Sequence, residues 1–202
     1  DLSGGAPLRT PFGTVHAGNL TPDAATGLGR WSADEFWRAM HEGRGRDGRA
    51  LLPVFPYTSY TRMSREDSDA LFAWLRAQPP VARARPAHEL RWPYGEAWAL
   101  AVWRTLYFRP ATPAPAPAMA ATVERGRYLV EGPGHCLECH APRGRWGARA
   151  DRADGGLMPD GEWWAPSLAP RPDLKEDDLV ALLRDGRHRQ GAAMGPMAEA
   201  AA

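Results

Sequence analysis

Cys136-Leu137-Glu138-Cys139-His140 is the stretch on which the reading of this chain turns. Cys-x-x-Cys-His is the spacing by which c-type haem is attached. Two thiols one helical turn apart each add to a haem vinyl group, and the histidine that follows is placed beneath the iron as its proximal ligand. Three other readings compete: a chance match, a thioredoxin-type redox pair, and half of a zinc site. A redox pair wants a βαβ context, and zinc wants a second Cys/His pair at metal spacing. The sequence offers neither, so Cys136 and Cys139 are read as the thioether positions and His140 as the iron ligand.

At 202 residues the chain is long enough for one large domain or two small ones. Nine tryptophans, 20 prolines and 21 glycines describe a loop-rich, aromatic-rich protein of short elements, which suits a core completed by a large flat cofactor. The formal net charge is +1 with acids and bases mixed, so there is no electrostatic footprint for nucleic acid. Both cysteines lie in the motif, leaving none for a structural disulfide. No apolar run approaches a membrane span and no signal peptide is visible. The motif itself implies a periplasmic address, because bacteria mature c-type cytochromes outside the cytoplasmic membrane. Any membrane association is expected through a partner or a terminus missing here, with Asp1 read as a mature or truncated end.

The Pro/Ala run from Pro110 to Ala121 divides the sequence. Alternating proline disfavours helix, so a semi-rigid linker is expected over 110–121, between a first domain at 1–109 and a second at 122–202. Each side carries a related pattern. Asn19-Leu20-Thr21-Pro22 leads to Trp31–Met40 and then Glu42-Gly43-Arg44, while Ser167-Leu168-Ala169-Pro170 leads to Glu176–Leu183 and then Asp185-Gly186-Arg187. Gly43 and Gly186 lie 143 positions apart, and at that offset Phe36 falls on Leu179, Met40 on Leu183 and Pro53 on Pro196. An internal duplication explains this better than coincidence.

The coarse structure reads as helical, with no convincing strand alternation. Ser32 with Glu35 is a capping-box signature for a helix ending near Gly43. Ser64 with Asp67 opens another, expected to present Leu71, Phe72, Trp74 and Leu75 on one face until Pro79-Pro80 stops it. Residues 96–108 suggest an amphipathic helix built on Trp98, Val102, Trp103 and Leu106. Thr122 is expected to cap a helix through Val130, and Glu176 to Arg184 forms one more. Gly43-Arg44-Gly45-Arg46-Asp47-Gly48 is a turn-rich loop after a helix cap, not a phosphate-binding loop.

Arg125-Gly126-Arg127-Tyr128-Leu129-Val130-Glu131-Gly132, running into His135-Cys136 and on to Ala141-Pro142-Arg143, carries a family resemblance. So do Thr10-Pro11-Phe12-Gly13-Thr14-Val15, Asn19-Leu20-Thr21-Pro22-Asp23, Phe55-Pro56-Tyr57 and Gly195-Pro196-Met197-Ala198-Glu199. The chain resembles the multi-haem cytochrome c subunits of bacterial periplasmic dehydrogenases, those of alcohol, gluconate and aldehyde oxidation among them. The resemblance implies an all-α fold of tandem class I cytochrome c domains. It also implies a haem motif upstream of the Thr-Pro-Phe-Gly segment and a helix beyond Ala202. The chain therefore reads as a central piece cut at both ends, carrying one haem c of its own, with a second expected if the upstream Cys-x-x-Cys-His is present. A domain that has lost its first haem is the alternative.

The same resemblance makes Met197, in Gly-Pro-Met, the distal iron ligand, with Met194 its local competitor. A thioether there favours ferrous iron and raises the potential. By the repeat, Met197 corresponds to Val54, or to Phe55 if the register slips by one, and neither can ligate iron. Met63 follows Phe-Pro-Tyr and is the candidate distal ligand of a first haem, against an equal reading as a packing residue. His16 and His41 are weaker candidates, with His41 expected on a solvated face. His135 is expected to hydrogen-bond near the haem edge, Arg143 and Arg145 to meet haem propionates or solvent, and Trp146, Trp163 and Trp164 to wall the macrocycle.

The function expected is one-electron relay, without catalysis of its own. A periplasmic dehydrogenase subunit would supply electrons, and an oxidase or quinone-linked acceptor would take them. The alternative is a haem enzyme of peroxidase or thiosulfate-oxidising type, with an open sixth position in the first domain.

Overall fold

The computed structural model describes residues 2–4, 7–170, 172–189 and 191–201, so both chain ends, Asp1 and Ala202, lie outside the described residues. Helix dominates, but short strands are present where none were expected. β1 (Pro7–Thr10) and β2 (Gly13–His16) form an antiparallel hairpin through Thr10-Pro11-Phe12-Gly13. Four residues are too few to establish a period-two pattern, and only Val15 of the hairpin is buried.

α1 (Ala33–Glu42) follows from local chemistry. Ser32 Oγ accepts from Glu35 N at 3.2 Å and Glu35 Oε2 accepts from Ser32 N at 2.8 Å, the reciprocal box expected. The helix ends where Gly43 turns left-handed, at φ 61°. Replacing Ser32 by alanine is expected to cost about 1 kcal/mol, read as a lower urea midpoint with an unchanged slope. α2 (Tyr57–Tyr60) is a single turn, and α3 (Arg65–Arg76) is capped by Ser64, whose Oγ accepts from Asp67 N at 3.1 Å. Phe72 and Leu75 of α3 are buried but Trp74 is 55% exposed, a correction to the expected face. At about 100° per residue, Trp74 lies some 200° from Phe72, on the opposite side of the helix.

β3 (Glu89–Leu90) adds to β2, and α4 (Ala97–Tyr107) precedes the Pro/Ala run. α4 forms as expected, yet none of its residues is buried. Residues 108–118 carry no regular structure, and Ala111 N donates to Thr61 Oγ1 at 2.8 Å, which holds the start of the run against the N-terminal half. α5 (Thr122–Glu131) begins with Thr122 inside the helix, and its N-cap is Ala121 without a side-chain hydrogen bond. Then come α6 (Leu137–His140), the pair β4 (Gly156–Leu157) and β5 (Trp164–Ala165), α7 (Glu176–Asp185), the pair β6 (Arg187–His188) and β7 (Gly191–Ala192), and α8 (Pro196–Ala200).

The two halves differ in how they bury apolar surface. α1 packs on α3 through a cluster of Leu28, Phe36, Met40, Met63, Phe72 and Leu75, with Phe36 and Phe72 stacked at 4.9 Å. Each such side chain contributes roughly 1.5–3 kcal/mol on burial. In the C-terminal half the buried apolar residues among those described are Leu137, Ala141, Ala165 and Ala201. Leu129 of α5 and Leu179 and Leu183 of α7 lie exposed at 44%, 43% and 61%.

The repeat is visible in the backbone. After α1, Arg44 pairs with Ala50 and Leu51 N donates to Gly43 O at 2.8 Å. After α7, Arg187 pairs with Ala192 and Ala193 N donates to Gly186 O at 2.8 Å. The second hairpin is one residue shorter, so the register slips by one beyond it and Met197 corresponds to Phe55 rather than Val54.

Candidate functional site

The cysteine segment is built by a turn that follows α5. Gly134 N donates to Leu129 O, His135 N to Gly132 O and Cys136 N to Val130 O, which folds 132–136 back over the end of α5. His135 takes a left-handed φ of 39°, an uncommon conformation outside glycine. Cys136 then opens the single turn of α6, with His140 N donating to Cys136 O at 3.0 Å. Cys136 and Cys139 are three apart on that turn and His140 four from Cys136, so all three share one face.

His140 is half-buried, and its Nδ1 lies 2.7 Å from the carbonyl oxygen of Pro166. A carbonyl only accepts, so Nδ1 is the donor in this bond, and Nε2 is the ring nitrogen that could meet a metal. Pro166 is placed by the β4–β5 pair, which Gly155 N ties to His140 O at 2.9 Å. The motif histidine thus has the second partner that iron- and zinc-ligating imidazoles use to fix their orientation.

The cysteines are free and half-buried, and burial pushes both thiols above their ordinary range. A redox-active pair needs the opposite, a thiol shifted down into the neutral range. Among the described residues no group of three or more His, Cys, Asp or Glu could hold a metal ion, so the zinc reading gains nothing.

Met197 stands in the first turn of α8, half-buried, while Met194 is 71% exposed. Gly195 between them adopts φ 55°, ψ −140°, and a Cβ there would come within 2.6 Å of the Trp163 ring. Only glycine permits this turn to rest on Trp163, and Pro196 then starts α8. Met63 is 4% exposed and lies in the N-terminal apolar cluster.

The remaining candidates are placed as follows. Arg143, expected to meet a propionate or solvent, donates from Nη2 to the Glu138 carboxylate at 2.8 Å and to Glu138 O at 2.7 Å, and from Nη1 to Gly147 O at 2.9 Å. Its terminal nitrogens are therefore engaged by protein oxygens, although Nε is buried without a partner. Arg145 is exposed over the Trp146 ring. His41, expected on a solvated face, is buried and stacked on Trp37 at 4.6 Å, because α1 turns that edge inward with Met40. His135 meets the Tyr60 ring edge-on at 5.4 Å. Trp146 and Trp164 are exposed.

Sequence reasoning missed Glu138 itself. Its side chain is 11% exposed, and four side chains from both halves donate to its carboxylate. Burial works to raise its pKa, but the hydrogen bond from Ser59 and the charge of Arg143 outweigh burial and hold the carboxyl below its ordinary value. Tyr128 was also missed: its hydroxyl accepts from Ser64 N at 3.1 Å and donates to the Asp67 carboxylate, joining α5 to the start of α3.

No protein-family model matches the chain. A nicotinate dehydrogenase subunit of Pseudomonas putida is 42% identical over 202 residues, taking in 96% of this chain and 17% of that protein. The gluconate 2-dehydrogenase cytochrome c subunit of Pantoea cypripedii is 39% identical, over 98% of this chain and 48% of its own length. This chain is a homologue of dehydrogenase cytochrome c subunits. A diheme cytochrome c-type protein of Cereibacter sphaeroides is a further relative, 37% identical over 92% of this chain and 63% of its own length. The chain spans less than half the length of the dehydrogenase subunits it matches.

The residues fit the group that cytochrome c homologues carry. Two free thiols and an imidazole with Nδ1 already bonded share one helical turn, and a half-buried thioether lies separately in a glycine-led turn; these are the donor types that a c-type haem would take.

Proposed function

We propose that this chain is the electron-relaying haem c portion of a dehydrogenase cytochrome c subunit. It would accept single electrons from a partner dehydrogenase in the periplasm and pass them toward an oxidase or a quinone-linked acceptor. The observation that carries this reading is the single turn presenting Cys136, Cys139 and His140, with Nδ1 of His140 bonded to Pro166 O at 2.7 Å. A bound haem would supply a one-electron iron couple.

In this reading Cys136 and Cys139 anchor the porphyrin, and His140 presents Nε2 in one fixed orientation. Met197 offers a thioether that favours ferrous iron, with Trp163 supporting its turn. Met63 is the corresponding proposal for a first haem whose attachment motif would precede this sequence. The division into tandem class I domains at 1–109 and 122–202, joined by 110–121, belongs to the same proposal. No helix among the described residues is long and apolar enough to cross a membrane. The named relatives are cytochrome c subunits, which does not favour the haem-enzyme alternative.

The test is covalent attachment. The full-length protein, expressed with cytochrome c maturation, is expected to keep its colour through acid-acetone extraction and to stain for haem on a denaturing gel. Replacing Cys136 and Cys139 together by serine is expected to remove the haem of this site. A colourless wild-type protein would defeat the reading.

A further inference from the structure

The cysteine segment is not held by its own half alone. α2 of the N-terminal half lies against it at two points. The Tyr60 ring meets His135 immediately before Cys136. Thr58 Oγ1 and Ser59 Oγ donate to Glu138 Oε1 at 2.9 and 2.7 Å, between the two cysteines. From the other side Arg149 Nε reaches the same oxygen at 3.1 Å, and Arg143 Nη2 reaches Oε2 at 2.8 Å. The two arginines are held together by an antiparallel bridge, Arg143 to Arg149. Ser59 is wholly buried and the Arg149 side chain is 7% exposed.

A buried carboxylate is costly unless each lone pair is met, and this one is met by donors of two kinds. The guanidiniums belong to the loop that follows the motif. The hydroxyls come from a turn about 80 residues earlier, so the carboxylate cannot keep its geometry unless α2 is docked.

We propose that Glu138 is a positioning residue through which the N-terminal half sets the haem site of the C-terminal half. Its carboxylate, oriented by Thr58 and Ser59, fixes the attachment turn and places a compensated negative charge within it. This rests on the haem reading above. A negative charge favours the more positive, oxidised state of a nearby redox centre, by an amount that grows as the local dielectric falls. Removing the charge therefore raises the reduction potential. Removing the hydroxyl donors leaves the charge less compensated and lowers it. Loss of packing alone would admit water and favour the oxidised state in both cases.

The test is a spectroelectrochemical titration of the full-length holoprotein, with haem staining to confirm attachment. Cys136→Ser/Cys139→Ser identifies which couple belongs to this site. Glu138→Gln is expected to shift that couple upward and Thr58→Ala/Ser59→Ala downward, while Thr58→Ser keeps the wild-type value. Should the double variant fail to mature, Ser59→Ala alone carries the same sign at smaller size. Shifts of equal sign in Glu138→Gln and the alanine variant, or no shift in the alanine variant, overturn the inference while the haem reading stands. A wild-type protein without covalent haem overturns both.

Discussion

Met197→Leu is expected to abolish the sulfur-to-iron charge-transfer absorption of the ferric protein and to lower the potential of its haem. The fall should be a sizeable share of the ~0.8 V range that axial ligands span. Leucine keeps the volume and apolarity of the side chain, so α8 can pack as before. What it loses is the soft sulfur that favours ferrous iron. Met194→Leu is the control. Met194 is 71% exposed and precedes Gly195, whereas Met197 is half-buried and follows it. Its replacement is expected to leave spectrum and potential unchanged. The two variants also differ in kinetics, because an open sixth position binds added cyanide quickly and an occupied one slowly. A Met194 variant that lost the charge-transfer band would transfer the ligand role to that residue.

What could be read from the sequence was what is written within one helical turn. The Cys136–His140 spacing, the Ser32–Glu35 box, the Ser64 cap and the stop at Gly43 each depend on residues no more than four apart, and each appears in the backbone as expected. Thr122 was read as a cap by the same logic, yet it is the first helical residue and the cap position falls one residue earlier, on Ala121, where no side-chain acceptor exists. Longer connections left no local mark. The His140 partner is a backbone carbonyl 26 positions away, and a carbonyl has no residue signature at all. Glu138 resembles any surface acid until α2 is folded against it. The repeat gave its register to within one residue, because an offset measured at the helix caps cannot register a deletion in the hairpin beyond them. That deletion shows in the folded backbone, in the bridge pairs Arg44–Ala50 and Arg187–Ala192 and in the hydrogen bonds from Leu51 to Gly43 and from Ala193 to Gly186.

The duplicated helix caps supply a paired experiment in which identical chemistry has unequal cost. Gly43 and Gly186 both end a helix in the left-handed region, at φ 61° and 68°. Alanine pays a backbone penalty of roughly 1–2 kcal/mol there, whatever its surroundings. Around Gly186 that is nearly all, since the nearest atom to an added Cβ is Ala201 O at 3.9 Å. Around Gly43 a Cβ would lie 2.5 Å from Cγ of Tyr57 and within 2.7 Å of both Cδ atoms. Tyr57 cannot yield. It is fully buried, packs edge-on against Phe108 at 4.7 Å and carries the Arg104 guanidinium over its ring. Arg104 in turn donates to Glu42 O at 2.6 Å, closing the end of α1. Overpacking of that kind adds about 1–3 kcal/mol, so Gly43→Ala is expected to lose about two to three times the stability lost by Gly186→Ala. Because Tyr57 begins the α2 turn that reaches Glu138, the damage should extend to the haem site. Urea denaturation followed by far-ultraviolet circular dichroism gives the first quantity and the haem absorption gives the second. Equal losses in the two variants would mean that Tyr57 is free to move aside and that the α2 contact with the cysteine segment is not rigid.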